Sequence, residues 1–308
     1  MTEKIAFISG SDSNYFPMLM EWVHSIRRFP KGDDFDICIL DTGLTDRQCE
    51  LLGSVVTKIV KPDWPCPIPA RKIQGREFLK SCICRPYLKN YFPDYDLYFW
   101  MDSDTWIQDW EGVDLFIEGA QKKHIALTAG VDRSYPKSMR VKFRGLLPPK
   151  CRSFYFSNSK KAFGRRMAEH LFPEHQLLAG AFCLHKDAPH WDAWQKIIEK
   201  ILKSRRGNAF TAEQLALGVM VHVEGLPVEI LPAWTHWLCE HKPLWDQDEK
   251  VFVEPFVPHE RIGILHLSGF DAMRTDRSET TSFRTLNGQD IELSYRYPYF
   301  DAETVAQG

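Results

Sequence analysis

The segment Asp96–Trp106 places five apolar residues, Leu97–Met101, directly before two acidic residues, Asp102 and Asp104. An unbroken apolar run of this length is typical of a strand that is buried on both faces of a parallel sheet. The two carboxylates then follow the carboxyl end of the strand, and open α/β sheets bind their ligands at that edge. Two carboxylates this close repel each other unless a positive charge compensates them. The segment therefore predicts either a divalent-cation site or, as the plainer alternative, a polar surface turn.

The first sixty residues alternate short apolar runs with helical patterns, which is typical of a parallel, doubly wound sheet. Asp12 or Ser13 could cap the first helix. The expected elements are strands at Lys4–Ser9, Phe35–Asp41 and Val55–Val60, a helix with Phe16, Leu19, Val23 and Ile26 on one face, and a short helix through Leu52 after a capping box at Thr45–Gln48.

The rest of the chain continues this alternation without a repeat or a linker, so we predict one α/β domain over residues 1–308. It would have a Rossmann-like, mostly parallel central sheet with helices on both faces, a basic insertion at about 131–175 and a C-terminal extension from about 270. The expected helices are Arg76–Tyr91, Val113–Lys122, Asp187–Ser204 and one after a second capping box at Thr211–Gln214, and the expected strands are His124–Ala129, Leu177–Leu184, Leu226–Leu231 and Gly263–Leu267.

The overall composition excludes several classes of protein. The net charge of −2 gives no reason to expect nucleic-acid binding. The eight cysteines include no Cys-x-x-Cys pair, so we expect a reducing cytoplasm and no cysteine-bound zinc. The N-terminal apolar run, Ile5–Ile8, is too short for a signal peptide or a membrane span.

Residues 131–170 differ from the rest of the chain in charge, because they contain eleven lysines and arginines against two acidic residues. Such an excess is compatible with a solvated insertion whose charge prevents aggregation. It is equally compatible with a surface for an anionic partner, such as donor phosphates, a phosphorylated glycan or an acidic membrane surface.

Three of the predicted strands end in residues that could bind a metal or its ligand: Asp12 follows the first strand, Asp102 and Asp104 the central one, and His266 lies in the last. We expect these ends to meet at one edge of one sheet. Two carboxylates and an imidazole, with positions left open for phosphate oxygens, suit Mn²⁺ or Mg²⁺. A histidine at a strand end can also be a hydrogen-bonded structural residue.

At this point the sequence resembles the metal-dependent, nucleotide-sugar glycosyltransferases of family 8. The resemblance runs from about residue 4 to residue 269, and it implies the GT-A fold and transfer with retention of anomeric configuration. It is carried by five motifs in the family's order: Asp12-x-Asn14-Tyr15, Asp102-x-Asp104, Ala179-Gly180, Glu213-Gln214 and His266-x-x-Gly269.

The resemblance also implies roles for individual residues. Asp102, Asp104 and His266 would bind the metal, and Gln214 would lie near the anomeric carbon. The implied donor-binding residues are Asp12, Asn14 and Tyr15 at the nucleobase and ribose, Arg85 at an acid or a donor group, Ser103 near the ribose, Ala179 and Gly180 beside the donor sugar, and Gly269 in the loop after the histidine.

Two positions depart from the family pattern. Leu178 stands where family members commonly have Asn or Asp before the Ala-Gly pair, which leaves the identity of the donor sugar open. Ala272 stands where the family has a lysine that grips the diphosphate, and either Arg274 or the basic insertion could take that role. Glu213 and Gln214 also have a structural explanation, since Thr211 and Gln214 fit a capping box.

We therefore expect a glycosyltransferase that uses Mn²⁺ or Mg²⁺ to move a sugar from a nucleotide diphosphate sugar, UDP-linked by resemblance, to a saccharide, lipid-linked or glycoconjugate acceptor. A sugar-phosphate nucleotidyltransferase and a non-catalytic nucleotide-sugar-binding module are the alternatives. Acceptor specificity would lie in loops 131–175 and 232–260, where Trp234, Trp237, His241 and Trp245 could stack on a sugar or fill the core. The expected location is the cytoplasm, with peripheral contact at the inner face of the membrane possible.

Overall fold

The computed structural model describes residues 3–135 and 140–299. Its strands are, in chain order, β1 (Ile5–Ser11), β2 (Asp36–Asp41), β3 (Lys58–Val60), β4 (Leu97–Met101), β5 (Thr105–Ile107), β6 (Ile125–Ala129), β7 (Arg140–Arg144), β8 (Leu147–Arg152), β9 (Leu177–His185), β10 (Val228–Leu231), β11 (His236–Leu238), β12 (Leu244–Asp246), β13 (Val251–Val253), β14 (Ile264–His266), β15 (Thr281–Arg284) and β16 (Asp290–Leu293). Its α-helices are α1 (Phe16–Arg27), α2 (Asp46–Gly53), α3 (Ala70–Ile73), α4 (Lys80–Ile83), α5 (Leu88–Tyr91), α6 (Trp110–Gln121), α7 (Phe154–Ala162), α8 (Arg165–Leu171), α9 (His190–Lys203), α10 (Ala212–His222) and α11 (Asp271–Thr275).

The central sheet has seven strands in the order β10-β6-β9-β4-β1-β2-β3. Strand β9 is antiparallel to both of its neighbours, β4 and β6, and the other neighbouring pairs are parallel. The predicted α/β class with a mostly parallel central sheet is therefore confirmed, and β4 has the bounds that its apolar run indicates.

Helices cover both faces of this sheet, as the alternating side chains of β4 show. Phe99 packs in a core that includes Trp22 of α1 and Phe116 of α6. Trp100 packs in a second core, on the opposite face, that includes Trp194 of α9. All five residues of β4 are buried, because an aromatic strand at the centre of a doubly covered sheet has no face toward water.

The predicted single helix Arg76–Tyr91 is wrong. The segment forms two short α-helices, α4 and α5, and two 3₁₀ turns, Glu77–Leu79 and Arg85–Tyr87. Pro86 explains the interruption, because proline has no N–H for a helical hydrogen bond and disfavours helical backbone in the residue before it. The break matters for the site, since the second turn begins at Arg85.

Of the two predicted capping boxes, only one forms. Thr45 and Gln48 cap α2 reciprocally, as expected. At α10 the backbone of Thr211 is not extended and its hydroxyl donates to Asn158 Oδ1 at 3.3 Å instead. Gln214 Nε2 donates to the carbonyl oxygen of Leu177 at 3.1 Å. The capping explanation of Gln214 is therefore wrong, and its side chain links α10 to β9.

The capping prediction at α1 is also wrong. The residue before α1 is Tyr15, and no side chain caps its first turn. Asp12 instead closes the preceding loop, because its Oδ1 accepts hydrogen bonds from the backbone N–H groups of Asn14 at 3.0 Å and Tyr15 at 3.3 Å.

The strand that ends in His266 does not belong to the central sheet, contrary to prediction. It is β14, the middle strand of a separate three-stranded sheet with the order β11-β14-β5. Because β5 begins at Thr105, directly after the acidic pair, its antiparallel pairing places Thr105 opposite His266. The histidine therefore reaches the two carboxylates through a second sheet that starts where β4 ends.

The C-terminal extension is joined to α1 by a buried ion pair. Arg296 donates from Nε and Nη2 to the two carboxylate oxygens of Glu21, at 2.9 and 2.5 Å, and Arg277 also contacts this carboxylate. Arg296 Nη1 donates to the carbonyl oxygen of Met273 at 3.0 Å, in α11. The extension thus holds the helix that carries Arg274. The assignment of residues 1–308 to a single domain stays a prediction.

No described helix is both long and apolar enough to cross a membrane. The seven cysteines whose side chains the structure describes are free thiols, and most of them are buried.

Changing Glu21 to glutamine removes the charge that compensates Arg296, which is 5% exposed. Because an uncompensated buried charge is costly, we expect the free energy of unfolding to fall by about 3–5 kcal/mol. Asp114→Asn breaks an exposed ion pair with Lys31 and should cost less than about 1 kcal/mol. Urea denaturation of both variants measures this, and equal losses would contradict the assigned role of the buried pair.

Candidate functional site

A cavity of about 700 Å³ opens at the carboxyl ends of β1 and β4. Among the metal-binding, donor-binding and catalytic residues proposed from sequence, Gly269 alone does not line it and lies instead in a left-handed turn with φ of +80°. The proposed residues that line the cavity are Asp12, Asn14, Tyr15, Arg85, Asp102, Ser103, Asp104, Ala179, Gly180, Gln214, His266 and Arg274.

Asp102, Asp104 and His266 each direct one ligand atom to a common point, and the three atoms lie within 4.8 Å of one another. His266 Nε2 is 3.4 Å from Asp104 Oδ1 and 4.0 Å from Asp102 Oδ2. Two carboxylate oxygens and one imidazole nitrogen are a donor set that suits Mn²⁺. The same set could bind Mg²⁺ if water molecules supplied more of its remaining ligands. The residues therefore fit the divalent metal that the sequence predicts.

Each carboxylate has one oxygen bound to an arginine and the other directed at His266. Asp102 Oδ1 accepts from Arg85 Nη2 at 2.5 Å and from Trp100 Nε1 at 2.9 Å. Asp104 Oδ2 is paired with Arg274 Nη2 at 2.6 Å. The atoms left for a cation are therefore Asp102 Oδ2 and Asp104 Oδ1, which are the two nearest His266.

The two carboxyl groups have opposite pKa shifts. Burial raises the pKa of Asp102, although the Arg85 guanidinium opposes this change. Burial acts in the same direction on Asp104, but His266 and Arg274 outweigh it and hold its pKa well below the usual value. A cation between them would favour the ionised form of both.

Arg85 positions Asp102 and is itself fixed on every side. Besides the carboxylate, its guanidinium donates to the carbonyl oxygens of Ala179 at 2.7 Å and Ser81 at 2.9 Å. It also stacks over the Trp100 ring at 4.6 Å. Since all three nitrogens are committed and the side chain is 4% exposed, Arg85 orients the acid and the β9 backbone.

His266 is held from behind by His236, which the sequence analysis missed because nothing in its local pattern distinguishes it. His236 Nε2 lies 3.0 Å from His266 Nδ1, and His236 Nδ1 lies 3.0 Å from Thr128 Oγ1. Burial lowers the pKa of His236 well below its usual value, so this ring is neutral. If His266 binds a metal through Nε2, its Nδ1–H donates to His236, which fixes the tautomer and the ring orientation.

Gly180 leaves the space that the His266 ring occupies. A Cβ at position 180 would lie 2.6 Å from His266 Cε1 and 3.3 Å from Asp102 Oδ2. The Ala179-Gly180 motif therefore has a structural reason beside the predicted contact with a donor sugar, because any larger residue would displace the His266 side chain of the candidate metal site.

Glu213 is a cavity residue that the sequence analysis named only as part of a motif. It is 5% exposed and its Oε1 lies 4.0 Å from Arg85 Nη1. Burial raises the pKa of Glu213 to about 7, against the opposing effect of Arg85. Its Oε2 is buried with no hydrogen-bond partner among the described residues, so this oxygen is open to a polar ligand group.

Arg274 forms an ion pair with Asp104 and also lines the cavity, where its charge can attract an anion. Its pKa is raised, because Asp104 outweighs the opposing effect of burial. Its Nε is buried and has no partner in the part of the chain that the structure describes. Ala272, at the position of the family's lysine, lies in the same short helix and carries no charge. Arg274 instead places a positive charge at the cavity.

The four residues proposed from sequence for stacking on an acceptor sugar do not line this cavity: Trp234, Trp237, His241 and Trp245. Trp237 is fully buried, and its Nε1 donates to the carbonyl oxygen of His241. Trp245 packs against Phe252. For Trp237 the core-filling alternative is therefore confirmed.

No family model and no curated protein matches the sequence. Among solved structures, the bifunctional glycosyltransferase WbbM superposes with a TM-score of 0.52 at 14% identity, over 87% of this chain and 46% of that one. The chain has the GT-A glycosyltransferase fold. It spans about half the length of WbbM.

Two further structures with weaker superpositions are the galactosyltransferase LgtC, bound to donor and acceptor sugar analogues, and a glycosyltransferase involved in glycosylation of the PBCV-1 major capsid protein. LgtC has a TM-score of 0.48 at 13% identity over 86% of this chain and 87% of its own. The second has a TM-score of 0.46 at 11% identity over 89% and 98%.

Replacing Gly180 with alanine should displace the His266 ring from the two carboxylates. We expect the affinity for Mn²⁺ to fall by about tenfold or more, as when a residue that orients a metal ligand is lost. Isothermal titration calorimetry with Mn²⁺ measures this. Gly53→Ala is the matched control, since a Cβ there contacts nothing within 4 Å. Unchanged Mn²⁺ affinity in Gly180→Ala would contradict the assignment of His266 as a ligand.

Proposed function

We propose that this protein is a metal-dependent glycosyltransferase that transfers a sugar from a UDP-sugar to a saccharide or glycoconjugate acceptor, with retention of anomeric configuration. The observation that carries the proposal is the convergence of Asp102 Oδ2, Asp104 Oδ1 and His266 Nε2 at the open end of a GT-A sheet. The order of the five sequence motifs supports a family 8-like assignment and, through it, retention.

Asp102, Asp104 and His266 would hold Mn²⁺ or Mg²⁺ in this proposal. When bound, the ion would neutralise charge on the donor diphosphate and make UDP a better leaving group. Arg274 would add a fixed positive charge on the same side of the cavity, next to Asp104. Its Nη1 and Nη2 are paired with Asp271 and Asp104, so the Nε–H, which has no partner among the described residues, would be the donor to a phosphate.

The nucleoside would lie against the loop after β1. Asp12 holds the backbone of this loop in a turn, which brings Tyr15 to the cavity wall. Tyr15 is partly buried and presents a ring on which uracil could stack. Asn14 and Ser103 supply polar groups for the base and the ribose.

The donor sugar would lie between β9 and the start of α10. Gln214 donates from Nε2 to Leu177 O, so we assign to its Oε1 the stabilisation of positive charge at the anomeric centre. Glu213 Oε2 would accept from, or donate to, a sugar hydroxyl. With Leu178 in the place of a polar residue, we assign the selection of the sugar to Glu213, whose Oε2 has no hydrogen-bond partner among the described residues.

Asp102→Asn and Asp104→Asn should each reduce Mn²⁺-dependent release of UDP from UDP-sugars by at least about a hundredfold, equivalent to roughly 3 kcal/mol of transition-state stabilisation. Asp114→Asn, which changes an exposed carboxylate on α6, should leave the rate unchanged. The measurement is UDP release from a panel of UDP-sugars with Mn²⁺ or with a chelator.

Full activity in either variant would contradict the metal assignment. Absence of UDP release by the wild-type protein with every sugar would indicate a non-catalytic binding module. A requirement for a nucleoside triphosphate would instead indicate a nucleotidyltransferase.

A further inference from the structure

The basic insertion contains a β-hairpin with an exposed apolar tip. Its strands, β7 and β8, form a two-stranded antiparallel sheet of their own, and Gly145 turns the chain with φ of +62°. At the tip, Phe143 is 84% exposed and Leu146 is fully exposed. They are the two most exposed large apolar side chains of the described residues, and exposed apolar groups placed together mark interaction sites.

The same hairpin carries only positive charge. Residues 140–152 include five arginines and lysines and no acidic residue, in a chain whose net charge is −2. A second exposed hairpin in the chain, β15–β16, has the opposite character, because Thr281–Leu293 contains one arginine and two acidic residues. Basic charge on the hairpin is therefore a local feature and not a general property of the surface.

An apolar tip combined with basic flanking residues matches the surface of an anionic bilayer, where charged headgroups lie above an apolar acyl-chain region. Aromatic and aliphatic side chains enter the boundary between headgroups and acyl chains, while lysines and arginines lie near the lipid phosphates. A soluble anion would use the charge but would give no reason for Phe143 and Leu146 to be exposed. A bilayer accounts for both observations.

The hairpin is connected directly to the wall of the catalytic cavity. Strand β8 leads into α7 through Ser153, whose Oγ accepts from the N–H of Phe156 at 3.0 Å. The first residue of α7, Phe154, lines the cavity. The next residue, Tyr155, is buried and its hydroxyl accepts from the N–H of Leu177 in β9 at 2.9 Å. The base of the hairpin is thus anchored to the sheet beside the proposed sugar site.

The cavity is also lined by exposed aromatic residues. Phe78 and Phe210 both line it and are 39% and 54% exposed. Phe154 is a third aromatic residue in the lining. Exposed aromatic lining is suited to an acceptor whose sugar is attached to an apolar group.

We propose that the hairpin Arg140–Arg152 docks the protein onto an anionic phospholipid bilayer, and that the sugar acceptor is a lipid-linked saccharide presented at that surface. The docking depends on the hairpin alone, whereas the nature of the acceptor rests on the proposed glycosyltransferase function. Because Phe154 follows β8 after a single residue, docking through Phe143 and Leu146 would hold the cavity within about one strand length of the bilayer surface.

The test is co-sedimentation of the purified protein with vesicles of phosphatidylcholine, or of an equimolar mixture of phosphatidylcholine and phosphatidylglycerol, at low and high salt. The wild-type protein should bind the mixed vesicles at least about tenfold more strongly than the neutral ones, and high salt should weaken this binding. Equal binding to both vesicles, or no binding, would overturn the proposal.

Two variants separate the apolar and the basic contributions. Phe143→Ser with Leu146→Ser, and Lys142→Glu with Arg144→Glu, should each reduce binding to mixed vesicles by about tenfold or more. Leu286→Ser with Ile291→Ser, on and beside the β15–β16 hairpin, is the matched control and should bind like the wild type. Loss of binding in the charge variant alone would overturn the insertion of the tip. Circular dichroism melting checks that each variant is folded.

Failure of the docking and failure of the proposed function give different results. If both the Phe143→Ser, Leu146→Ser variant and the Lys142→Glu, Arg144→Glu variant bind vesicles like the wild type, docking by this hairpin is wrong whatever the rate of UDP release. If the wild type binds mixed vesicles but neither releases UDP nor transfers sugar to a lipid-linked acceptor, the docking stands and the glycosyltransferase function is wrong. The double variant should keep its rate of UDP release in the absence of vesicles, because neither residue lines the cavity.

Discussion

The candidate site depends on how the charges of Asp102 and Asp104 are compensated. A buried strand that ends in two acids, one residue apart, cannot leave both ionised without nearby positive charge. Arg85 is paired with one carboxylate oxygen of Asp102, and Arg274 with one carboxylate oxygen of Asp104. The remaining two oxygens are nearest His266, so the arginines orient both acids toward one point. This orientation makes a cation site from residues that would otherwise form two separate salt bridges.

The elements around the pair follow from this requirement. Gly180 leaves room for the His266 ring, and His236, which is neutral because it is buried, contacts that ring from behind. The C-terminal extension holds the carbonyl of Met273 through Arg296, and thereby the short helix that carries Arg274. A distant buried ion pair between Arg296 and Glu21 therefore contributes to the geometry of the cavity.

The sequence predicted the features that local chemistry determines. The apolar run Leu97–Met101 gave the central strand because burial on two faces requires apolar residues at every position. The capping box at Thr45 formed because both partners lie within one turn. The helix expected at Arg76–Tyr91 is interrupted, because Pro86 has no N–H for the hydrogen bond that a continuous α-helix needs.

Features that depend on distant parts of the chain could not be predicted from local patterns. The second sheet that brings His266 to Asp104, the support from His236, and the contact between Gly180 and His266 all join residues far apart in sequence. Family resemblance placed His266 at the metal without indicating this route. The hairpin tip at Phe143 and Leu146 was part of a region recognised only by its charge.

The central claim is that Asp102, Asp104 and His266 bind one divalent cation that contacts the donor diphosphate. Diffraction from crystals grown with UDP and Mn²⁺, at a wavelength where manganese scatters anomalously, tests this most directly. The account predicts one anomalous peak within coordination distance of Asp102 Oδ2, Asp104 Oδ1 and His266 Nε2, with the UDP phosphates on its open side. Ordered UDP in the cavity without manganese at these three atoms would contradict it.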